Sequence, residues 1–535
     1  MASIEKPWEF LSVRSIDRRQ KFGIGFDESD LPVSDAYISA IGIRKHIKII
    51  NRSKWLNGIE VSVENDADLN SIVGLPFVKK IQFLGRIKNR PVINKTEIAA
   101  EYYQKADSLK ALKQRYKTIG FSEKDYKRSY EQNQAIGIPY LHNYGFRGQK
   151  QLIAVFDAGF YEAYKVQGME DLLSPQTVIK DFVDYDGSVW EDDAHGAKVL
   201  SFMKTFNPGN YIGTAPFADY ALFRTEIGWQ EYPVEEIHWL FAAEYADSLG
   251  VDMISASVGY HTFDDSHLNH TYSQLDGQTS IIAIAANYAY KKGIAIVSSA
   301  GNEGNGNWKK ISTPADASSV ITIGACDSKG FYVAFSSVGP TADGRIKPDL
   351  SVPGYKVMVA SPNGFYAGNG TSYSTPIFAG AFACFMGSLK YASPDSLRNF
   401  VIASASHKSK PDTLYGYGVP DLGLAYCIAT GFGEQDSLEE LWVKPGIMFQ
   451  DLNLYFKSHE NQKIKVTIKT DKNNKMKTLE SETYRVQSGK WFHCDLAFKL
   501  IQQGTSKRKK KRQIKKMTII VETNHGTYTR QFEFS

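Results

Sequence analysis

The chain has 535 residues, and a prior of about 150 residues per domain predicts two to four domains. Hydrophobic residues make up 42% of the chain and charged residues 23%, which is typical of a folded soluble protein. The net charge of +5 is small for this length and does not by itself indicate a nucleic-acid or membrane partner. The four cysteines form no Cys-x-x-Cys pair, which disfavours a disulfide scaffold or a zinc site.

The N-terminal part mixes short apolar runs with charged turns, and we assign residues 1–86 to a first domain. Apolar patterning predicts strands at residues 59–63 and 77–84. Residues 97–130 are rich in Lys, Glu, Tyr and Gln, with little apolar periodicity, and predict a mobile, partly helical linker. The region 87–130 therefore separates the first domain from the next.

Residues 131–428 form the largest predicted domain, which is of the α/β class. Helical patterns lie between short apolar runs, as at residues 234–249, where apolar positions recur every three or four residues. Residues 376–389 are too few to span a bilayer and predict a buried helix. This alternation predicts a parallel sheet flanked by helices. The apolar runs that predict its strands are residues 152–156, 253–255, 294–297 and 320–323.

The last part of the chain, residues 440–535, changes to patterns of strands alone. Runs at residues 452–456, 464–468 and 517–521 predict a small all-β domain of the sandwich type. Residues 507–516 are strongly basic. We interpret them as a solvated loop between strands rather than a surface for nucleic acid or another polyanion.

Ser372 is the first candidate for chemistry. Small residues precede it, which permits a tight strand-to-helix turn, and an apolar helical run follows. A serine at a helix start has free backbone N–H groups beside it, and the helix dipole favours negative charge there, as an oxyanion hole requires. Taken alone, an ordinary helix N-cap explains the residue equally well.

Three other polar residues are of the kinds that such a nucleophile needs. His195 is the side-chain type that accepts a proton near neutral pH. Asp157 ends a predicted strand, where α/β sheets place functional groups, and a carboxylate there would orient the imidazole. Asn302 follows another predicted strand and offers an amide donor to an oxyanion. Each one also fits turn or capping chemistry, so their order along the chain is the stronger signal.

Along the chain the candidate residues come in the order Asp157, His195 and Ser372. In this order, the short sequence blocks around them resemble those of the subtilisin-like (subtilase) peptidases. Residues 370–376 are similar to the family's serine block, Gly-Thr-Ser-x-[Ala/Ser]-x-Pro. The histidine block, His-Gly-Thr-x-Val, has Ala197 in place of threonine, and the aspartate block, Asp-[Ser/Thr]-Gly, has Ala158 in the middle. Residues 335–349 also look like a specific stretch of the family.

The resemblance covers about residues 130–428 and implies a subtilisin-like α/β fold. It further implies a catalytic triad of Asp157, His195 and Ser372, with Asn302 as the side-chain donor of the oxyanion hole. A bound substrate backbone would then lie against two segments, which consist of Ser257, Val258 and Gly259 on one side and Ser299, Ala300 and Gly301 on the other.

The N-terminal part resembles the propeptide of a secreted, Bacteroidetes-type branch of this family. Residues 10–19, 30–34 and 53–57 carry this likeness. It implies a zymogen in which residues 1–86 fold with the α+β architecture of such propeptides and inhibit the enzyme, with the maturation cleavage between about residues 86 and 130. In relatives an extended segment precedes these blocks, so we expect the signal and the first propeptide strand to be missing here.

The function expected from these features is a monomeric serine endopeptidase that acts on proteins or peptides and is secreted or exposed on the cell surface. A transpeptidase or peptide cyclase on the same scaffold is one alternative, and a catalytically silent peptide-binding protein is another. The family chemistry needs no cofactor. The resemblance allows a structural calcium ion, but no ligand set for one is legible.

One polar cluster remains outside this scheme, in the segment that follows the predicted substrate strand. We interpret it as a loop beside the cleft rather than a metal site, because its spacing fits no fixed ligand pattern. Its members are His261, Asp264, Asp265, His267 and His270.

Overall fold

A computed structural model describes residues 4–64, 66–86 and 98–430 continuously. In the C-terminal part it describes residues 434–435, 439–445, 452–458, 460–472, 475–487, 491–495, 516–525 and 527–533. The chain divides into two compact units, Met1–Leu422 and Gly423–Ser535. The basic run predicted to be a loop lies outside the described residues, except for Lys516.

The N-terminal part of the first unit is an α+β structure, as predicted. Its elements are α1 (Val13–Phe22), α2 (Asp35–Gly42), β1 (Ile47–Ser53), β2 (Gly58–Val63) and α3 (Asp66–Val73). Strands β1 and β2 pair antiparallel, which confirms the strand expected at 59–63. The strand predicted at 77–84 is wrong, since residues 77–86 form no strand. Leu84 instead packs against the core of the large sheet described below.

The predicted linker is partly helical, as expected, but it is also anchored to the rest of the unit. Ala106 and Leu109 are buried on its longest helix, and Tyr126 is fully buried. The charged composition of the segment therefore marks the exposed face of a packed helix rather than a detached tether. Its helices are α4 (Ala100–Arg115) and α5 (Glu123–Tyr126), and α6 (Tyr130–Gln134) and α7 (Ile138–Asn143) follow at the start of the predicted α/β domain.

A seven-stranded parallel sheet forms the centre of the first unit and confirms the predicted α/β class. The strands are β3 (Leu152–Asp157), β4 (Val178–Asp181), β7 (Asp219–Arg224), β8 (Met253–Ala256), β9 (Ala295–Ser299), β10 (Val320–Cys326) and β11 (Leu350–Pro353). Their order is β11-β10-β9-β8-β3-β7-β4, and every neighbouring pair is parallel. All four strands predicted from apolar runs belong to this sheet. Two short antiparallel pairs accompany it, β5 (Phe206–Asn207) with β6 (Tyr211–Ile212) and β12 (Val357–Ser361) with β13 (Gly364–Gly368).

Helices pack on the sheet because its central strands, such as β3 and β10, are mainly apolar and buried over their whole length. Phe156, Trp239 and Ile282 belong to one buried cluster that joins the sheet to two of these helices. The predicted helix 234–249 is confirmed, and the buried helix expected at 376–389 begins earlier, at Thr371. The helices of this part of the first unit are α8 (His195–Lys204), α9 (Val234–Leu249), α10 (Ile281–Lys291), α11 (Thr371–Ser388) and α12 (Pro394–Ser404). Helix α13 (Leu422–Ala429) begins at the last residue of the first unit and belongs mainly to the second unit. Among the helices of the described residues, none is both long and apolar enough to cross a membrane.

The second unit contains two four-stranded antiparallel sheets, which confirms the predicted all-β character. Their strands are β14 (Glu434–Gln435), β15 (Glu439–Pro445), β16 (Leu452–Ser458), β17 (Gln462–Lys472), β18 (Lys475–Val486), β19 (Trp491–Asp495), β20 (Lys516–Glu522) and β21 (Thr527–Glu533). Alternate residues such as Leu454 and Phe456, and Ile464 and Val466, are buried. This period of two is the pattern of a sheet with one face covered.

Candidate active site

Asp157 lies at the carboxyl end of β3, near the middle of the parallel sheet. Its side chain is fully buried. One carboxylate oxygen, Oδ1, accepts hydrogen bonds from the backbone N–H of Ala158 at 2.9 Å and from His195 Nδ1 at 2.8 Å. The other oxygen has no hydrogen-bond partner among the described residues. A buried carboxylate so placed fixes both the orientation of the imidazole and its tautomer, with Nδ1 protonated and Nε2 available.

His195 is the first residue of α8, and the start of this helix lies beside the carboxyl end of β3, where Asp157 is. Its own N–H donates to Asp193 Oδ1 at 2.6 Å. A Cβ on the next residue, Gly196, would lie 2.4 Å from the Gly159 carbonyl oxygen and 2.9 Å from Asp157 Cβ. Only glycine therefore permits this close approach. The negative charge of Asp157 raises the pKa of His195, against the opposing effect of burial.

Ser372 is the second residue of α11, where backbone N–H groups have no partner within the helix. The helix follows Gly370, whose φ of 150° is a conformation that suits glycine. Ser372 Oγ donates to the backbone carbonyl of Ser257 at 3.4 Å. Among the hydrogen bonds of the described residues, none joins Ser372 to His195. The structure therefore pairs His195 with Asp157 directly and places the serine hydroxyl on the neighbouring substrate segment.

Pro376 lies inside helix α11, as its sixth residue, beyond the first turn, where the missing N–H would be harmless. At that position the carbonyl of Ser372, four residues earlier, loses its helical donor. The hydroxyl of Ser257 donates to this carbonyl at 3.0 Å. The proline thus leaves an acceptor that ties the helix start to the segment after β8.

Asn302 lies next to the start of α11 and is held there through its side-chain oxygen. Asn302 Oδ1 accepts from the backbone N–H of Thr371 at 2.9 Å and from Thr371 Oγ1 at 3.0 Å. The amide nitrogen is thereby left to donate elsewhere. Since Asn302 is exposed, its N–H groups are accessible from the cleft beside Ser372. This is the position that a side-chain oxyanion donor requires.

The two predicted substrate-binding segments flank a common residue, Ser312. A Cβ on Gly259 would lie 3.1 Å from Ser312 Cβ, and one on Gly301 would lie 3.3 Å from Ser312 Oγ. Ser257, Val258 and Gly259 follow β8, and Ser299 ends β9, the adjacent parallel strand, with Ala300 and Gly301 after it. The structure therefore brings the two segments together on the side of the sheet where Asp157 lies.

Three features of the site escaped the reading of the sequence. Thr371 holds Asn302 through two hydrogen bonds. The position of Thr371 in the Gly-Thr-Ser block is the feature of the sequence that could have indicated this role. Arg224 is fully buried at the end of β7, directly opposite Asp157 in the pairing of β7 with β3. Its side chain forms an ion pair at 3.4 Å with Asp192, three residues before His195. Glu226 accepts a hydrogen bond from the hydroxyl of Tyr260, and burial raises its pKa. No local pattern distinguishes these last two from surface charges.

The polar cluster after the substrate segment behaves as a loop, in line with its interpretation. His270 Nε2 contacts Glu236 at 2.5 Å, His261 stacks on Trp308 with ring centroids 4.8 Å apart, and Asp265 caps a short 3₁₀ helix. Across the part of the chain that the structure describes, no group of three or more His, Cys, Asp or Glu side chains is arranged to hold a metal ion.

Comparison with known proteins agrees with this geometry. The model of the subtilase family matches residues 148–418, and that of the Bacteroidota peptidase S8 propeptide domain matches residues 1–101. Subtilisin NAT of Bacillus subtilis subsp. natto is 29% identical over 280 residues, which cover 50% of this chain and 65% of that protein. Subtilisin of Bacillus pumilus is 28% identical over 256 residues, covering 46% of this chain and 81% of that protein.

Among solved structures, MycP1 from Mycobacterium smegmatis is similar with a TM-score of 0.41 and 20% identity, over 55% of this chain and 84% of that one. The chain spans about two thirds of the length of subtilisin NAT, and the C-terminal unit lies outside both family matches.

Proposed function

Since the chain belongs to the subtilase family, we propose that it is a serine endopeptidase synthesised as a zymogen. The observation that carries this proposal is the 2.8 Å contact between His195 Nδ1 and buried Asp157, on the edge of the sheet that also holds Ser372 and Asn302. Such an arrangement supplies a base, its orienting carboxylate, a nucleophile and an oxyanion donor.

In the proposed mechanism, an extended peptide lies along Ser257, Val258 and Gly259. The hydroxyl of Ser372 turns from the Ser257 carbonyl toward His195 and attacks the scissile carbonyl carbon, while Nε2 of His195 takes its proton. The C–N bond then breaks, and the proton passes from His195 to the leaving amine. Water, deprotonated by the same histidine, attacks the ester, and the acid product leaves as Ser372 recovers its proton.

The developing oxyanion would be stabilised by the amide of Asn302 and by the backbone N–H of Ser372. Both donors are held before substrate arrives, Asn302 by Thr371 and Ser372 by the helix start. Preorganised donors of this kind act without a reorganisation cost at the moment of reaction. Side chains perform all the proton transfers, so the proposal assigns no cofactor.

We propose that residues 1–86 are the inhibitory propeptide, that 87–130 contain the maturation region and that 131–428 are the catalytic domain. The match of residues 1–101 to a propeptide domain supports the first assignment. Near the end of this domain, Leu84 packs on the buried core of the large sheet, and its carbonyl accepts the N–H of Val234 at 3.1 Å. Val258 of the proposed substrate segment packs against the same core. This anchoring supports inhibition by the propeptide.

Secreted relatives and a Bacteroidota-type propeptide support an extracellular location, at the surface or released. Protein or peptide substrates and the chain's own propeptide are the partners that we propose. We further propose that the enzyme acts as a monomer, since the catalytic groups assigned above all come from one chain.

Intact mass over time, for the wild type and for Ser372→Ala side by side, tests the proposal. We expect the wild type to lose its N-terminal part and the variant to remain whole, since the variant lacks the nucleophile. The new N-terminus then locates the maturation cleavage. If both proteins remain whole, trypsin is added to cleave the proposed maturation region, and a fluorogenic peptide is supplied.

Absence of peptide cleavage by the trypsin-treated wild type would overturn the assignment, as would full activity of Ser372→Ala. Analysis of the peptide products separates hydrolysis from ligation. A free carboxylate at the cleavage point supports the peptidase, whereas a new amide bond to a second peptide would identify a transpeptidase instead.

A further inference from the structure

A polar cavity lies near the amino end of strand β7, at the opposite end of helix α8 from His195. Its volume is about 370 Å³, and it is formed by α4, the C-terminal end of α8 and the first residues of β7. Helix α8 has ten residues, so at 1.5 Å per residue about 15 Å separates Lys204, at its end, from His195 at its start. None of the residues assigned to catalysis lines this cavity.

Two buried lysines in the cavity share one carboxylate oxygen. Lys113 of α4 and Lys204 of α8 approach Asp171 Oδ2 at 2.7 Å and 3.0 Å, with side chains that are 13% and 7% exposed. Each ammonium has three hydrogens. Only the bond to Asp171 is found for either ammonium among the described residues. Each ammonium also lies near an aromatic ring of the lining, Lys204 at 5.3 Å from the Tyr220 centroid and Lys113 at 6.0 Å from the Phe217 centroid. Each ammonium therefore has N–H donors left over that can bind a ligand in the cavity.

Positive groups outnumber negative groups in the lining of this cavity. Burial lowers the pKa of Lys113, and the neighbouring charge of Lys204 lowers it further, although Asp171 acts in the opposite direction. Lys110 and Lys117 line the same cavity and add positive charge. Asp219, exposed at the rim, is the other acidic group of the lining. Four ammonium groups thus face two carboxylates, of which only Asp171 is buried.

Residues with uncharged polar side chains also line the cavity, beside the aromatic rings of Phe217 and Tyr220. They are Ser174, Gln176 and Thr177. Ammonium groups and hydroxyl-bearing residues around one cavity match the acceptors of a small tetrahedral oxyanion, and hydrogen bonds between charged partners are the stronger kind. An apolar ligand would leave these donors unpaired, which is costly.

We propose that this cavity binds a small tetrahedral oxyanion of the phosphate class, with Lys113 and Lys204 as its principal ligands. Lys113 belongs to α4, within the segment 87–130 that contains the proposed maturation region, whereas Lys204 belongs to the helix that begins with His195. The bound anion therefore ties α4 to the large sheet. The site does not depend on peptidase activity.

The test measures the thermal unfolding midpoint of the full chain carrying Ser372→Ala, which prevents self-cleavage. Inorganic phosphate is titrated against sodium chloride at matched ionic strength. Because a ligand that binds only the folded state stabilises it, we expect the midpoint to rise by at least about 2 °C at saturation. Sulfate, which has the same shape, should act in the same way.

The variant Lys113→Met should weaken phosphate binding about tenfold or more, because a charge-assisted hydrogen bond is lost. It leaves the pair of Lys204 and Asp171 intact, so folding is retained. Lys105→Met is the matched control, since Lys105 lies on the same helix outside the cavity and pairs with Glu101. Lys117→Met, at an exposed lining position, provides a second variant without a buried change.

Equal midpoints in phosphate and chloride would overturn the proposal. It would also fail if Lys113→Met and Lys105→Met responded to phosphate alike, since binding would then be general attraction to a positive surface. If Lys113→Met does not fold, a phosphate response in Lys117→Met that equals the unsubstituted response would count against the site, and a weakened one would support it.

Discussion

The buried carboxylate of Asp157 controls how His195 titrates, and this gives a prediction on pH. The proposed base must be unprotonated at Nε2, and the charge of Asp157 raises the pKa of His195 above its ordinary value of about 6.5. Activity of the matured enzyme should therefore fall as the pH drops through this raised pKa, and rise above it. The measurement is kcat/KM for a fluorogenic peptide between about pH 5 and pH 9.

The variant Asp157→Asn provides the control for the pH profile. It removes the charge and favours the other tautomer, so kcat should fall by about 10⁴ and the acidic limb should move to lower pH. An acidic limb at the same pH in both proteins would show that another group titrates.

A prediction on rate follows from the way Asn302 is held. Loss of its amide donor in Asn302→Ala should lower kcat about 100- to 1,000-fold with little change in KM, because the donor acts on the oxyanion rather than on bound substrate. Thr371→Val removes one of two hydrogen bonds that orient Asn302 and keeps the backbone N–H, so its loss should be smaller. Similar losses in kcat for both variants would contradict a direct role for Asn302.

At the scale of elements, the approach of α8 to β3 depends on a residue without a side chain. Alanine at position 196 would place Cβ 2.4 Å from the backbone oxygen of Gly159, so either the segment after β3 or helix α8 would have to move. Gly196→Ala should lower the free energy of unfolding by about 1–3 kcal/mol and reduce kcat/KM by about 100-fold, because His195 moves relative to Asp157. Denaturant unfolding and peptide hydrolysis measure the two effects.

Gly387 is the matched position for this substitution. It lies near the end of α11, and a Cβ there would meet only the flexible side chain of Gln151, at 3.6 Å. Gly387→Ala should leave activity unchanged and stabilise the fold by up to about 1 kcal/mol through helix propensity. Equal destabilisation by both substitutions would mean that the close approach of α8 is not the cause.

The elements also show how far sequence reasoning reaches. Continuous apolar runs predicted four strands of the sheet, because strands that are buried on both faces carry few polar residues. Residues 77–84 have a similar pattern, but Leu84 uses its apolar side chain and its carbonyl against α9 and the core, not against a neighbouring strand. An apolar run in the sequence predicts that a segment is buried and extended, but it does not identify the strand or helix against which the segment packs.

The candidate site was predictable to the same degree. Each of its blocks is contiguous, so Asp157, His195, Ser372 and Asn302 are recognisable from near neighbours. The hydrogen bond from Ser257 to the carbonyl that Pro376 leaves open joins residues 115 positions apart. The ion pairs of Arg224 also connect distant segments. Contacts of this kind exist only once the sheet has assembled.

At the scale of the whole first unit, the N-terminal part is joined to the large sheet by buried charges. Asp247 of α9 is fully buried and binds Arg18 at 2.5 Å and Arg19 at 2.7 Å. Lys54 approaches the same carboxylate at 3.3 Å. Arg19 also pairs with Asp30. The carboxylate of Asp247, on a helix that packs on the large sheet, therefore forms ion pairs with three cationic side chains of the proposed propeptide.

This arrangement makes Asp247 the most sensitive point of the contact. Asp247→Ala would leave Arg18 and Arg19 buried with fewer partners, and breaking a buried pair costs about 3–5 kcal/mol. We expect that loss in denaturant unfolding of the full chain carrying Ser372→Ala. Asp35→Ala is the control, because Asp35 pairs with Arg52 at the surface, at 3.5 Å, where an ion pair contributes little.

The same substitution distinguishes a docked propeptide from one that is only tethered by the chain. After cleavage between residues 86 and 98, the wild-type N-terminal part should remain bound and co-elute with the catalytic part in size-exclusion chromatography, because its buried ion pairs persist. In Asp247→Ala it should dissociate, and on dilution inhibition should be lost at a higher protein concentration than in the wild type, because the weaker complex has a larger dissociation constant. Dissociation of both proteins at the same concentration would mean that these charges do not hold the inhibitor in place, and that the segment around Leu84 does so alone.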